Sequence, residues 1–560
     1  MFVRTKYNTK SGKTAVQLVE NKRVGDKVKQ TIIRHFGYAL NQDEVNALTK
    51  LALKYKFDLE QQESSQPNLF STDNLVDIVC EASQKEDEPP PQADLKDIRE
   101  ENRLVMGLHC AYGKLFDEIG FNHVLKNPAR KKASVRLLRD LVLMRINKPA
   151  SKLYSVSLLR DEFGVDTDVN SIYRLMDYLD DKAIEKTKQI AYGCVRRLLD
   201  EEMDLIFYDC TTLYFESFYE DEFRRNGYSK DMKFNQPQVL LGVIVTKSGL
   251  PISYELFEGD KFEGNTLEEA IKRLHERYKI KNVIFVADSA LLSHKNIKIL
   301  TAKGQHFIVG ARIKNLGNEI KAQIVDKTDY KPLKGLEDVI YKEIELKDQG
   351  LRLIVDWSEE RAAKDKYDRE KAIESLSKRL EGRKNITSLL NNYGYKKYLK
   401  VEGEYKLIKD EQKIKEAELW DGLHGIITNI EPEKTDTETL LLQYRGLWQV
   451  EETFRLLKHD LRIRPMFHWT TRRIKAHVAI CFMSLLCARL MEYRVALQYR
   501  KMSPGAINKH LQSLQTSIVI DIKTNKRYAI PSCATQDGKK IYQIFGLKWK
   551  TTPYEIKKSR

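Results

Sequence analysis

Apolar and polar positions along this chain change period several times, and each change predicts a different element. Three basic runs near the start, FVRTKYN, KTAVQLVENKRV and VKQTIIRHFG, favour short strands joined by turns that carry Gly and Lys. Such a ribbon could lie on DNA or pack on the main body, and the pattern leaves both open. Residues 61–97 are polar, with KEDEPPPQ at their centre, and predict a linker with one short helix over residues 75–83.

Residues 98–202 carry Leu, Ile and Val at helical spacing and predict a helical segment. Within it, SVSLLRDEFGVDTDVNSIYRLMDYL predicts two helices around a turn, with Gly164 ending the first helix and Asn170 or Ser171 capping the second. One interpretation is a helix-turn-helix that presents Arg174 to DNA. The other is a pair of ordinary packed helices.

A β-rich run comes next. The apolar segment LIFY ends in Asp209, and the apolar segment VIFVA ends in Asp288. Between them, VLLGVIV and ISYELF flank KSGLP, which is typical of a hairpin, and residues 266–278 predict a helix. This order predicts an α/β protein with a mixed sheet covered by helices, and the RNase H-like fold is one such arrangement.

Residues 311–420 interrupt the alternation with strand-like VIYKEIEL and LRLIVDW and a long charged helix over residues 359–380, so we interpret them as a β-rich insertion. GLHGIITNI returns as an apolar strand, and a second long helix is predicted over residues 472–499. The pattern thus predicts seven segments: 1–60, basic and β-rich; 61–97, linker; 98–202, helical and DNA-binding; 203–310, first part of the core; 311–420, insertion; 421–500, second part of the core; 501–560, C-terminal segment.

The run YRGLWQVEETFRLLK spaces Tyr444, Glu451 and Lys458 seven residues apart, about two helical turns each time. Apolar residues in and just after it recur every three or four positions and predict a buried stripe. The stripe consists of Leu447, Val450, Phe454, Leu457 and Leu461. Glu451 would lie at the edge of this stripe, on a helix anchored in the core and facing a cleft.

Asp209, Asp288 and Glu451 are therefore candidates for one acidic site. Three carboxylates of this kind suggest two-metal phosphoryl transfer, and hard oxygen ligands suit Mg²⁺ or Mn²⁺. Each residue also has an ordinary interpretation, because an Asp after a strand is commonly a turn residue and a helical Glu is commonly solvated. Glu452 competes with Glu451, so the hypothesis depends on the three residues together.

Composition changes this picture only modestly. The chain has 560 residues and a formal net charge of +16, which fits a nucleic-acid partner and also many other basic proteins. Seven cysteines without a CxxC pair predict reduced, mostly buried thiols rather than a zinc site or a disulfide frame. The first residues lack an apolar signal region, and VAICFMSLLCA (478–488) is too short to span a membrane and predicts a buried helix.

As an ordered set, these motifs resemble bacterial DDE transposases of insertion sequences, in the group marked by a Y-x2-R-x3-E-x6-K signature. YDCTTLYFES and VIFVADSALLS match the two aspartate motifs, and GYSKD with QPQVLLGVIVTKSGLPISYELFEGD resembles the segment between them. DGLHGIITN and RRIKAHVAICFMSLL resemble the elements on either side of the signature helix. Tyr444, Glu451 and Lys458 stand at the signature spacing, whereas the arginine position holds Leu447, with Arg445 two residues earlier.

The resemblance implies a cut-and-paste transposase with an RNase H-like core and a β-rich insertion between the second Asp and the Glu. Asp209, Asp288 and Glu451 would be its catalytic and metal-binding residues, with two Mg²⁺ (or Mn²⁺) ions per site. Its partners would be double-stranded DNA, as terminal inverted repeats and target, and a second copy of the chain in the synaptic complex. It would work in the bacterial cytoplasm, on the nucleoid, with no membrane partner.

The resemblance also implies residues that bind DNA. They are Tyr444, Arg455, Lys458, Lys230 in GYSKD, and Arg445. Relatives that form a hairpin favour a base stacked on an aromatic, for which Trp420 and His424 are candidates and Trp357 is another. Core packing is the ordinary alternative for Trp420.

Two other classes compete with a transposase. One is a transposase-derived DNA-binding protein that no longer cleaves, and the other is a different RNase H-like nuclease, such as a resolvase or a repair nuclease. The presence of all three carboxylates argues against the first. The signature run and the long insertion argue against the second, so the leading hypothesis is an enzyme, a DDE transposase.

Overall fold

The computed structural model describes a defined part of the chain. Described residues are 2–8, 13–24, 27–39, 45, 48–49, 52, 75–85, 90–199, 205–216, 219–227, 235–278, 284–289, 294–302, 304–346, 350–381, 398–402 and 406–556. The chain divides into two compact units, Met1–Leu75 and Val76–Arg560. The seven predicted segment boundaries stay predictions.

The first unit contains an antiparallel ribbon of three strands, β1 (Phe2–Asn8), β2 (Lys13–Val24) and β3 (Lys27–Ala39). Its central strand buries Val16, Leu18 and Val19, whereas Tyr7 and Tyr38 are exposed. The three strands predicted from the basic runs are therefore confirmed. Whether the ribbon binds DNA stays a prediction.

The second unit has its strands and helices at the following positions. The strands are β4 (Ile98–Leu104), β5 (Leu205–Tyr214), β6 (Gln238–Thr246), β7 (Pro251–Glu258), β8 (Ile284–Ala287), β9 (His306–Gly310), β10 (Lys331–Leu333), β11 (Leu336–Leu346), β12 (Leu351–Ser358), β13 (Leu399–Glu402), β14 (Lys406–Lys409), β15 (Leu423–Thr428), β16 (Thr516–Asp521), β17 (Arg527–Pro531) and β18 (Tyr554–Glu555). The helices are α1 (Leu75–Ser83), α2 (Met106–Ile119), α3 (Lys132–Asn147), α4 (Lys152–Phe163), α5 (Val169–Tyr178), α6 (Asp181–Leu199), α7 (Glu263–Tyr278), α8 (His294–Ala302), α9 (Asn318–Val325), α10 (Glu359–Glu381), α11 (Glu411–Glu418), α12 (Thr437–Arg445), α13 (Trp448–Arg455), α14 (Thr471–Gln498), α15 (Pro504–Gln512) and α16 (Gln536–Ile544).

The central sheet has the order β7-β6-β5-β8-β9 at its core. β6 runs antiparallel to β5 and β7, while β8 runs parallel to both β5 and β9. The KSGLP turn joins β6 to β7, with Gly249 in the left-handed region at a φ of 73°. The prediction of an α/β protein with an RNase H-like mixed sheet is confirmed.

The insertion extends the same sheet. Beyond β9 the strand order continues β15-β12-β11-β10, so in the described residues the sheet reaches nine strands. The strand-like pieces VIYKEIEL and LRLIVDW fall in β11 and β12, and the long charged helix is α10, as predicted. Because β15 pairs with both β12 and β9, the insertion is joined to the core by backbone hydrogen bonds.

Helix α14 forms the centre of the helical layer and packs against α2, α3, α5, α6 and strand β7. By length and composition it is apolar enough to cross a membrane, yet 94% of its most apolar window is buried inside the protein. Residues 478–488 are all buried. The prediction of a buried core helix here is confirmed.

Residues 98–104 correct the prediction that the segment from Ile98 onward is helical. They form β4, which pairs antiparallel with β16 in a four-stranded sheet completed by β17 and β18. The partner strand lies more than 400 residues away in sequence, so no local pattern could signal the pairing. Cys80 and Cys110 are joined by a disulfide, so the prediction of seven reduced thiols is wrong for these two.

The two helices predicted around a turn are α4 and α5. Gly164 ends α4 in the left-handed region, as predicted, but Asp168 rather than Asn170 or Ser171 caps α5 by accepting a hydrogen bond from the Ser171 amide. Asp168 is the cap because its carboxylate lies three residues before the Ser171 amide, which has no partner within the first turn of the helix. Arg473 of α14 binds Asp177 of α5 through both carboxylate oxygens. The use of Arg174 in reading DNA stays a prediction.

Candidate active site

Asp209 lies inside a strand rather than at its end. β5 continues from Leu205 to Tyr214, and residues beyond Asp209 pair with β6, as Thr211 does with Leu241. The prediction that the strand ends at Asp209 is therefore wrong, because CTTL is rich in residues that favour strands and has a partner strand available. The Asp209 side chain is half-buried, and its Oδ1 accepts a hydrogen bond from the Cys210 amide at 2.7 Å.

Asp288 follows β8 directly, as predicted, and its side chain is exposed. The parallel pairing of β5 with β8 matches Leu205 to Ile284 and Phe207 to Val286, an offset of 79 residues. Asp209 and Asp288 have the same offset, so continuing the register sets them side by side. Neighbouring strands lie about 4.8 Å apart, and paired positions face the same side of a sheet. The observed pairing ends at Phe207 and Val286, so the side-by-side placement of the two aspartates extends that register by two residues.

Glu451 does not lie on one continuous signature helix. Helix α12 ends at Arg445, a turn at Gly446 and Leu447 follows, α13 contains Glu451, and residues Leu456–Asp460 form a π-helix. The prediction of one regular helix over this run is therefore wrong. The backbone bonds at the turn span three residues, from Gly446 N to Gln443 O and from Leu447 N to Tyr444 O, which tightens the chain there.

The apolar stripe of this run holds α13 on the sheet. Val450, Phe454, Leu457 and Leu461 are buried, as predicted, and Leu447 is half-buried. α13 packs across β5 and β6, while Glu451 itself is exposed at the edge of the stripe. A Cβ added to Gly446 would lie 2.6 Å from Cζ of the buried Phe207. The glycine therefore allows the run to approach the strand that carries Asp209.

Tyr444 lies near Asp288 and Glu451, two of the three candidate carboxylates. Its α12 helix packs against β8 and β9, and a Cβ added at Gly310 would lie 2.5 Å from its hydroxyl oxygen and 3.0 Å from the Ser289 amide. Burial raises the pKa of Tyr444 well above its usual range, and the carboxylates of Asp288, Asp356 and Glu451 raise it further. Asp288 and Glu451 therefore act on one tyrosine from two different elements.

Asp356 is a buried acid that the sequence analysis missed. It lies on β12, where His424 Nδ1 is 3.2 Å from its Oδ1 and Arg445 donates to its Oδ2 at 3.3 Å. Burial acts to raise the pKa of Asp356, but hydrogen bonding and charge from His424, together with Arg445, hold it below the usual range. The signal was an acidic residue directly after the apolar residues Leu353–Val355 of the run LRLIVDW.

The donor set fits a divalent cation, although the described side chains do not form a closed cluster. Three carboxylates on adjacent elements supply the hard oxygen ligands that Mg²⁺ and Mn²⁺ prefer. Among the described residues, however, no group of three or more His, Cys, Asp or Glu side chains converges closely enough to hold an ion. The backbone brings the three positions to one region without setting the carboxylate oxygens at ligand spacing.

The predicted phosphate-binding residues are in different environments. Arg455 binds Glu452 through two hydrogen bonds of 2.7 and 2.5 Å, and the same carboxylate raises the pKa of Arg455. Arg445 is engaged by Asp356, and Lys458 is half-buried in the π-helix. Lys230 lies outside the described residues. Glu452, the competing glutamate, has its carboxylate committed to Arg455, which favours Glu451 as the acid of the site.

The three candidates for base stacking all have protein neighbours. His424 stacks on Tyr444 with ring centroids 5.2 Å apart, besides its contact with Asp356. Lys314 Nζ lies 5.7 Å from the Trp420 ring centroid. Trp357 donates from Nε1 to the Asp421 carbonyl and has Lys327 Nζ over its ring at 4.4 Å. Their role in stacking on DNA bases stays a prediction.

Comparison with family models finds two matches along this chain. Residues 200–487, slightly more than half of the chain, match the transposase DDE domain. Residues 2–67 match the N-terminal domain of IS1634 family transposases. No curated protein matches the chain. The membership of the Y-R-E-K group stays a prediction, as does the use of Arg445 or Arg455 in place of the missing signature arginine.

Two of the solved structures with similarity are transposase complexes with DNA, and their structural agreement with this chain is low. One is a piggyBac transposase synaptic complex with hairpin DNA, which is 12% identical in sequence. The match covers 80% of this chain and 78% of the piggyBac chain, with a TM-score of 0.34. A Mos1 transposase paired-end complex with the left transposon end is 14% identical, covers 29% of this chain and 59% of its own, and has a TM-score of 0.14. At these scores the similarity supports no further conclusion.

Proposed function

The chain belongs to the family of DDE transposases, and from this premise we propose that Asp209, Asp288 and Glu451 are its catalytic carboxylates. It is a DNA transposase of an insertion sequence, an enzyme that cleaves and transfers DNA strands with a divalent metal. The observation that supports the residue assignment is the register of β5 and β8, whose paired positions differ by 79 residues, the same offset that separates Asp209 from Asp288. Helix α13, packed on the same β5 strand, carries Glu451.

The metal of this reaction is proposed to be Mg²⁺, or Mn²⁺ in its place, with two ions per site held by the three carboxylates. Ions so held would stabilise charge on the attacking and leaving oxygens of the phosphoryl group. Asp209 and Asp288 would supply ligands from the rigid sheet, and Glu451 would supply one from the helix. The convergence of the carboxylate oxygens on the ions is part of this proposal.

The DNA partners are proposed to be the terminal inverted repeats of the element and its target, with two copies of the chain pairing two ends. Exposed carboxylates at Asp288 and Glu451 are accessible to a substrate as large as a duplex. Arg455, Lys458 and Tyr444 would contact phosphates beside the cleaved bond, with Lys230 and Arg445 as further contacts. A bacterial enzyme acting on chromosomal DNA would work in the cytoplasm.

The assignment is tested by cleavage of a duplex that carries the element's own end, in Mg²⁺. Asp209→Asn, Asp288→Asn and Glu451→Gln each remove a charged ligand with little change in shape, so each is expected to abolish cleavage while binding of the end is retained. Glu452→Gln is the matched control, because it changes the neighbouring glutamate that pairs with Arg455. Full cleavage by any one of the first three variants would show that its residue is wrongly assigned.

A further inference from the structure

The loop between the π-helix and α14, residues 461–470, exposes two aromatic rings that the catalytic assignment does not use. Phe467 and Trp469 are each 61% exposed. The residues between and beside them point inward, since Met466 is buried and the His468 ring lies 5.2 Å from the ring of buried His477. This alternation places both rings on the same outer side of an extended segment.

Buried side chains and a neighbouring strand make hydrogen bonds to the backbone of the loop, which fixes the backbone that carries the two rings. Arg145 donates to the Leu461 and Arg462 carbonyls at 3.4 Å, and His477 Nε2 lies 3.2 Å from the Ile463 carbonyl. Met466 donates its amide to the Tyr214 carbonyl at the end of β5.

The Trp469 ring is supported from one side by Arg224. The Arg224 guanidinium lies 5.7 Å from the Trp469 ring centroid and 5.5 Å from that of Phe215. Asp221 fixes this arginine by accepting from its Nε at 2.7 Å. Ordering an aromatic ring before it meets a ligand lowers the entropy lost on binding.

The charge around the loop suits a polyanion. Residues 461–477 include Arg462, Arg464, Arg472, Arg473 and Lys475 and contain no Asp or Glu. Arg472 and Arg473 contact Asp177 and Lys475 pairs with Asp181, whereas Arg462 is exposed in the same loop as the rings. Exposed aromatics within a basic segment are typical of surfaces that contact both the bases and the backbone of a nucleic acid.

Two distances relate the loop to a duplex. Residues two apart in an extended segment are about 6.6 Å apart, and rings on either side of one base pair are separated by about 6.8 Å, twice the 3.4 Å rise. Met466 pairs with Phe215, which directly follows β5 and lies six residues after Asp209. That is about 20 Å, or about six base pairs of duplex.

We propose that Phe467 and Trp469 form a DNA wedge, which enters the base stack on either side of one base pair within about six base pairs of the cleaved bond. The inference rests on the proposed function, since it takes the duplex to be bound at Asp209. Opening the stack there would bend the duplex away from its straight path and extend its contact with the basic loop.

The test measures binding of the full chain to a duplex carrying the element's own end, without divalent metal so that no DNA is cut. Phe467→Ala and Trp469→Ala are each expected to weaken binding about 5- to 150-fold, because stacking of a base on an aromatic has that range. Trp469→Phe should retain most of the affinity. Leu497→Ala is the control, since Leu497 is 66% exposed and lies about 39 Å further along α14.

A scan of abasic positions then locates the contact. At one position within about six base pairs of the cleaved bond, removing the base should erase the penalty of Trp469→Ala, as a double-mutant cycle requires for a direct contact. Unchanged affinity in both alanine variants, or a penalty equal at every abasic position, would overturn the wedge. The wedge would also be overturned if the alanine variants kept their affinity for DNA but no longer formed a dimer in the absence of DNA. That result would assign the two rings to a contact between two copies of the chain.

The outcome is independent of the catalytic residues. If Asp209, Asp288 or Glu451 proved wrongly assigned, metal-free binding by the loop variants would be unaffected. If cleavage were lost as proposed but the rings bound no base, only the wedge would fail.

Discussion

Asp209 lies within strand β5 and Asp288 directly follows the paired strand β8, whereas Glu451 lies on an α-helix of eight residues between a turn and a π-helix. The two strands belong to a sheet whose residues around Asp209 are almost all buried. Glu451 depends instead on apolar side chains packing on β5 and on a glycine that lets the run come close.

The difference indicates which side of the site can adjust. A strand paired on both sides cannot shift without breaking backbone hydrogen bonds, whereas a short helix seated by side chains can move by fractions of an ångström. A rigid strand beside a movable helix agrees with the finding that the carboxylates of the described residues do not form a closed ligand cluster. We infer that any adjustment needed to bind metal occurs mainly on the helix side.

The largest expected effect comes from changing side-chain length while keeping charge. Asp209→Glu should lower cleavage about 100-fold or more, because the strand cannot absorb the added methylene and a shift of about 1 Å costs about that much. Glu451→Asp should lose less, about 10-fold, since α13 can follow the shorter side chain. Single-turnover cleavage rates in Mg²⁺ measure both. Equal losses would show that the two sides do not differ in rigidity.

A second variant disturbs only the packing of helix α13 on strand β5. In Gly446→Ala, the added Cβ meets the Phe207 ring at 2.6 Å, so overpacking should cost about 1–3 kcal/mol of unfolding free energy. Displacement of α13 should lower cleavage about 10- to 100-fold with DNA binding retained. Gly505→Ala is the control, because nothing lies within 4 Å of its added Cβ. If Gly446→Ala cleaved DNA at the wild-type rate, the proposed packing of α13 on β5 would be contradicted.

A third change tests Asp356, which links the sheet to the helical run through Arg445. Asp356→Asn should lower the free energy of unfolding at pH 7 by about 1.5–3 kcal/mol, the usual contribution of hydrogen bonds to a charged group. Urea unfolding followed by tryptophan fluorescence measures this in the second unit, because all the tryptophans lie beyond residue 75. Cleavage should fall less than in Gly446→Ala.

The difference in unfolding free energy between wild type and Asp356→Asn depends on pH with a definite sign. The folded pKa of Asp356 is lowered from an ordinary value of 3.8, so the unfolded chain binds more protons between the two pKa values. The stabilisation is therefore complete above about pH 4 and is lost as the pH falls through the folded pKa. The gap between wild type and Asp356→Asn should shrink below pH 4, and a gap that widened there would contradict the lowered pKa.

The smallest expected effect is on backbone contact. Lys458→Ala should weaken DNA binding several-fold for every sequence and reduce the salt dependence of log K by about 0.9, the value for one phosphate contact. Binding titrations at several salt concentrations measure it. Lys378→Ala is the matched control, an exposed lysine of α10 that pairs with Glu374. An unchanged slope for Lys458→Ala would remove this residue from the interface.

Elements with local signals were predictable from the sequence, whereas long-range pairing was not. The KSGLP hairpin, the left-handed Gly164 and helix α14 follow from neighbouring residues. The length of β5 beyond Asp209 depends on β6, and β4 depends on β16 near the other end of the chain. Strand pairing across such separations is decided by tertiary packing, which no window of sequence contains.

The sequence offered candidate site residues, but not how they are arranged. Three carboxylates could be chosen because each follows or interrupts an apolar pattern, yet the shared offset that pairs two of them required the strand register. The break at Gly446 was missed because it depends on Phe207, more than 200 residues earlier. Asp356 was missed because its role depends on contacts with His424 and Arg445 from other elements.

The most direct test of the central claim is Mg²⁺-dependent cleavage of a duplex carrying the element's own end, by wild type and Glu451→Gln side by side. We expect cutting at the end by wild type and at least about a 10³-fold loss in the variant, because ligand loss removes several kcal/mol of transition-state stabilisation. Cutting that survives in Glu451→Gln would contradict the account and make Glu452 the next residue to test.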